Sequence, residues 1–361
     1  MSYFLAFAGF AALIILHEFG HFVAAKATGM RVERFALFFP PLITRKQIGE
    51  TEYGIGAIPL GGYVKITGMN PEEKLPPDVA PRAYYHRPVW QRIVVIAAGP
   101  LMNVLIAFLI FFGVSFDVIR DATKVLEVGN GAPAAGKLLP GDRILAVDGK
   151  RPGQGSTVHQ LTAFREQIRK HRCPGKQQSG CLGATPVTFT IERDGRILTV
   201  RIRPKYDPAA KRVLVGVAFG EHYHPSVGGA ARYAVDDMWT VTKGTVNALA
   251  RIFNAKDRKQ ISGVVGSYEV TRQSFAHDTR RALLLLAVIS LSLAIINLFP
   301  FLPLDGGHIF WSLVEKVRGR PVPYRVMEQA GVLGFVLVLI LFYIGLSNDI
   351  GRLTGGGFNT R

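Results

Sequence analysis

Apolar residues in this chain gather into four long runs, each long enough to cross the roughly 30 Å hydrocarbon core of a bilayer. The runs cover 3–25, 93–116, 282–303 and 330–347. Between them the pattern changes. Residues 31–69 alternate apolar side chains with glycines, most clearly from Tyr53 to Lys65, which predicts β structure. Residues 120–220 predict a small α+β domain. Val187 to Ile191 alternates as a half-buried strand, Asp194-Gly195 marks a hairpin turn, and 158–169 has helical period. Residues 225–275 predict a helical linker lying near the membrane surface, with helical periodicity from Ala230 to Phe253. The fold class expected is an α-helical polytopic membrane protein of four transmembrane helices. It carries a membrane-associated β-sheet on one side and an inserted α+β domain on the other.

Composition sharpens this. The mean hydropathy is +0.22 although 19% of the 361 residues are charged. The first run lacks the basic flank and small-residue cleavage site of a signal peptide. Lys and Arg crowd the segment between the first two runs (Lys26, Arg31, Arg34, Arg45, Lys46, Lys65, Lys74, Arg82, Arg87, Arg92) and the loop before the fourth (Lys316, Arg318, Arg320, Arg325). Basic loops stay cytoplasmic. The β region is therefore expected inside, and both termini and the 117–281 segment outside. The net charge of +17 is dispersed and accompanies no nucleic-acid motif, so anionic lipid is the expected partner and nucleic acid is excluded. Cys173 and Cys181 are the only cysteines. In an extracytoplasmic loop they are expected to form a disulfide.

The candidate chemistry lies inside the first run. His17-Glu18-Phe19-Gly20-His21 puts two imidazoles on one helix face with a carboxylate beside them, the arrangement that offers Zn²⁺ two ligands and a general base. Ionisable groups at bilayer depth are costly, which marks them as functional. A third ligand is expected where Pro300, Pro303, Gly306 and Gly307 break the helix, so that Asp305 turns inward from an unwound segment. His308, three residues on, is the alternative.

His17-Glu18-x-x-His21, Gly99-Pro100-x-x-Asn103 and Asn297-x-x-Pro300 leading to Leu304-Asp305-Gly306 together resemble the site-2 protease family of intramembrane zinc metalloproteases. The Pro140-Gly141-Asp142-x-Ile144-x-x-Val147-x-Gly149 run resembles PDZ domains of bacterial proteases, so the resemblance is to the bacterial branch with one PDZ domain. It implies one Zn²⁺ held by His17, His21 and Asp305, with Glu18 as catalytic base. It also implies that Asn297 and a β-edge containing Gly54, Gly56, Gly61 and Gly62 contact an unwound substrate. Substrates would be single-span membrane proteins, such as anti-sigma factors or signal-peptide remnants, cut in the bacterial plasma membrane after an upstream site-1-type protease. Two stretches depart from the family pattern: Ser262-Gly263-Val264-Val265-Gly266, and the bulky Phe35-Ala36-Leu37-Phe38-Phe39-Pro40-Pro41. Both bear on substrate selection rather than on the metal. A scaffold with a structural metal site is the rival reading, but it gives Glu18 no task. A transporter should show acidic or His residues in the second and fourth runs, and these have none.

Overall fold

The computed structural model describes residues 1–70, 72–151, 157–175, 178–208, 212–251, 254 and 263–355. The chain divides into two compact units, Ser115–Ala230 and the remainder on either side of it.

In the flanking unit, four helices are long and apolar enough to cross a membrane. They are α1 (Ser2–Ala27), α2 (Val89–Val114), α6 (Thr279–Asn297) and α8 (Tyr324–Gly355). The shorter α4 (Val227–Ala250), α5 (Val264–His277) and α7 (Asp305–Arg318) complete it. Two of these boundaries correct the sequence expectation. The third run was expected to reach 303, yet α6 stops at Asn297, because Pro300 and Pro303 cannot donate to a continuing helix. Asp305 does not sit in an unwound stretch: it is the first residue of α7. The helix expected as a linker packs against its neighbours. Ala234, Met238 and Val241 of α4 pack into one cluster with Ala107 and Phe111 of α2 and Ala287 and Leu291 of α6. Thr245 and Ser292 hydrogen-bond at 3.0 Å between α4 and α6.

The β region consists of β1 (Val32–Ile48) and β2 (Thr51–Ile66), each bent so that it contributes two pairing segments. Residues 32–37 pair with 52–55 on one side and with 62–66 on the other, while 42–48 pair with 51–56. The lateral order is therefore 42–48, 51–56, 32–37, 62–66. Ala25, Met30, Val32, Ile66, Tyr84, Val95 and Ile96 close the core between this sheet, α1 and α2.

From sequence, Arg92 counts among the basic residues of the segment just before the second run. Instead Arg92 lies within α2 and is only 2% exposed. Its guanidinium donates twice to Glu315 of α7, at 2.6 and 3.0 Å, and lies 5.3 Å from the centroid of the Tyr85 ring. A planar two-pronged donor matched to a carboxylate fixes orientation as well as charge. This pair ties α2 to the helix that begins with Asp305.

The other unit contains α3 (Thr157–Arg169) and a five-stranded sheet in the order β6-β5-β4-β3-β9. Its strands are β3 (Val118–Val128), β4 (Arg143–Val147), β5 (Val187–Arg193), β6 (Arg196–Ile202) and β9 (Val217–Tyr223). A small hairpin, β7 (Lys205–Asp207) with β8 (Arg212–Leu214), lies before β9. Asp194 and Gly195 both have positive φ, as a two-residue turn matching strand twist requires. Phe164, Ile168, Phe189, Ile191 and Val215 share a core. Asp142 accepts two hydrogen bonds from Arg193, and Cys173 is bonded to Cys181.

Two predictions follow from these charge placements. Glu50, at the β1–β2 turn, accepts from Arg82 and Lys26 at 2.6–2.8 Å, and these bonds hold its carboxyl down to about 2. A depressed carboxylate contributes stability above its ordinary value near 4.5, which is lost as pH falls through about 2. Glu50→Gln should therefore remove about 1–2 kcal/mol at pH 6, a figure discounted for partial exposure, and only a small fraction of that at pH 2, as read by thermal unfolding in detergent across that range. Arg92→Leu leaves the partly buried Glu315 carboxylate, 21% exposed, without its partner and should cost about 2–3 kcal/mol, whereas Arg92→Leu with Glu315→Leu should regain most of it. Equal losses in the single and double variants would show that the pair does not act as a unit.

Candidate metal centre

His17 and His21 are four residues apart on α1 and so project from one face toward α7. Their Nε2 atoms are 3.3 Å apart, and Asp305 Oδ2 lies 3.3 Å from the first and 3.4 Å from the second. The side chains are 11%, 9% and 19% exposed. His21 Nδ1 donates to the Val95 carbonyl at 2.9 Å, which leaves the lone pair on Nε2. Asp305 Oδ2 is buried and has no hydrogen-bond partner.

Three electron-pair donors converging at such spacing repel one another unless a cation or a proton lies among them. The edge of a tetrahedron with zinc-to-nitrogen distances of 2.0–2.1 Å is about 3.3–3.4 Å. The observed separations match that edge, so the residues present fit a tetrahedral divalent ion with three protein ligands and a fourth face left open. Among the described residues, His17, His21 and Asp305 form the one group of metal-competent side chains brought together in this way. His308, the alternative from sequence, is not in the group. Nor are His222 and His224, which donate to Asp117 and to the Phe116 carbonyl.

Glu18 points from the same turn of α1 and stands within electrostatic reach of all three ligands. Gly62 lies against it: a β-carbon there would collide with Glu18 Cγ and come 3.2 Å from Oε1. Gly99 on α2 lies equally close to the His21 ring, where a β-carbon would overlap Nε2. The four glycines named from sequence divide accordingly. Gly61 and Gly62 lead into the edge segment 62–66. Gly54 and Gly56 do not belong to that edge, because Gly54 faces both Ala36 and Arg45 and Gly56 faces Leu42 within the sheet. Their missing side chains serve the protein's own strand pairing. Asn297 is half-buried at the C-terminus of α6, one irregular segment before Asp305.

Sequence reasoning did not single out Val95, whose carbonyl orients His21, or the Arg92–Glu315 pair that holds α7. An arginine at the head of an otherwise apolar helix was the one available signal. The glycine contacts make a separable prediction. Gly99→Ala should lower metal content by displacing His21, while Gly62→Ala should retain metal yet disturb Glu18. Metal analysis of the purified variants checks both.

Comparisons with known proteins place the chain in a family. Residues 5–341 match the model of peptidase family M50. A Nostoc protein named "putative zinc metalloprotease" is 31% identical over 98% of this chain and 97% of its own length. Relatives of the same description from Rhizobium meliloti and Clostridium perfringens are each 28% identical, over 95% and 96% of this chain and 94% and 97% of their own. The chain belongs to peptidase family M50, the site-2 proteases that its sequence resembles.

Proposed function

We propose that this protein is an intramembrane zinc metalloprotease that cuts single-span membrane proteins. The observation that carries the reading is the convergence of His17, His21 and Asp305 beside Glu18, under a glycine-lined strand edge. Zinc held there supplies Lewis acidity for the scissile carbonyl and lowers the pKa of water toward ~7. Glu18 takes the proton from the attacking water and returns it to the departing amine. A transmembrane helix bonds all its amides internally, so the substrate must unwind before attack. The edge at Gly61 and Gly62 accepts the unwound stretch as an added strand, and the Asn297 carboxamide holds its backbone nearby.

In this reading the β region and the zinc site face the cytoplasm of a bacterial cell. The termini and residues 115–230 lie outside the plasma membrane. The outer unit acts as a PDZ-like domain, filtering substrates by size or reading a prior cut by a site-1-type protease. Anti-sigma factors and signal-peptide remnants are the substrate class.

Glu18→Gln tests the assignment directly. It should leave about one zinc per chain, while cleavage of a co-expressed single-span reporter falls by 10²-fold or more. Undiminished cleavage would remove Glu18 from the mechanism.

A further inference from the structure

The Ser115–Ala230 unit holds a groove of about 560 Å³ between α3 and residues 212–219. Leu161, Arg165 and Arg169 are four residues apart along one face of α3 and form one wall. Arg212, Val215 and Phe219 form the other. Residues 217–219 belong to β9, the last strand of the sheet, which pairs with β3 on one side only. An edge strand beside a groove offers backbone donors and acceptors to an extended peptide, and the groove walls choose its side chains.

The walls are not neutral. Three guanidiniums meet a single carboxylate, Glu127. Arg165 and Arg169 are exposed, and among the described residues none of the three arginines has a carboxylate partner. Arg212 Nε is buried with no hydrogen-bond partner at all. Val215 and Phe219 make part of that wall apolar, and charge contacts strengthen as water is withdrawn.

We propose that this groove binds an extended segment rich in Asp and Glu, added alongside β9, and that the arginines select it. The proposal deepens the reading of this unit as a peptide-binding, PDZ-like domain and is independent of the zinc chemistry. Substrates or partners recruited here carry an acidic stretch in their extramembrane part.

The test uses the full chain in an uncharged detergent and fluorescein-labelled ten-residue peptides, read by anisotropy. One peptide alternates Val with Asp and Glu, and its counterpart carries Asn and Gln instead. Each is made with a free and with an amidated C-terminus. The acidic peptide should bind about tenfold more tightly at low salt, with the advantage fading as ionic strength rises. Arg165→Gln with Arg169→Gln, both exposed positions, should abolish the discrimination without changing the thermal midpoint. Glu127→Gln should strengthen acidic binding. The Glu18→Gln protein should bind as the parent does, so that failed recognition and failed hydrolysis are read separately. Equal affinity for both peptides, or unchanged discrimination in the double arginine variant, would overturn the proposal. So would binding that follows the free C-terminus regardless of acidic content, since the groove would then read chain ends.

Discussion

Everything in the flanking unit is arranged around the cost of holding two imidazoles and a carboxylate together in apolar surroundings. Unpaired, such groups cost several kcal/mol each. Converged at 3.3–3.4 Å, they fit a divalent cation, whose occupation would offset that cost. Convergence demands close helix packing. Gly99 lets α2 approach the His21 ring, and the carbonyl of Val95, one turn earlier on α2, accepts a hydrogen bond from the other ring nitrogen. A single helix thus sets both the distance and the tautomer of one ligand. The third donor, Asp305, comes from a helix nearly three hundred residues away, and its placement depends on what anchors that helix. Arg92 and Glu315 supply this anchor, a charged pair inside an otherwise apolar junction. Ser290 adds a smaller polar link by donating to the Asn103 carbonyl at 2.9 Å between α6 and α2.

The donors themselves were legible in the sequence because their spacing encodes geometry: i and i+4 on a helix define one face before any tertiary contact exists. Asp305 was legible through its proline- and glycine-rich surroundings, although the inference that it sat in unwound chain was wrong. The helix breaks at 298–304 and begins again at Asp305 itself. What stayed hidden was pairing across long separations. Arg92 looks like any basic residue at a membrane boundary until Glu315 is placed opposite it. The same holds for Ser262-Gly263-Val264-Val265-Gly266, which read only as a departure from the family pattern. Asp349, fully buried near the end of α8, accepts from the backbone N–H of Gly263 and Gly266 at 3.1 and 2.7 Å. A carboxylate at the first turn of α5 satisfies donors that the helix cannot use internally. The two glycines matter there for their amides.

The β region shows how a pattern can be read correctly as strand and wrongly as edge. Alternation of glycine with apolar residues identified β structure, but alternation is the same in a central and an outer segment. Only the doubling back of both strands decides between them. It puts 51–56 inside the sheet and leaves 42–48 and 62–66 at its borders.

Those two borders are unequal, and the inequality bears on catalysis. An unpaired edge invites any extended chain, so proteins blunt edges they do not use with charge and proline. The 42–48 border has Pro40 and Pro41 just before it and carries Arg45 and Lys46, which suits an edge meant to stay unpaired. The 62–66 border starts with a glycine against Glu18, and its one lysine, Lys65, is engaged by Glu33 at 2.7 Å. Its charge is thus neutralised within the sheet. A chain adding to this border would run past Glu18, whereas one adding to the other border would be separated from it by the width of three strands, about 14 Å. In the proposed reaction, selecting the border is therefore equivalent to aligning the scissile bond, and the same glycine that brings the strand down onto Glu18 sets both.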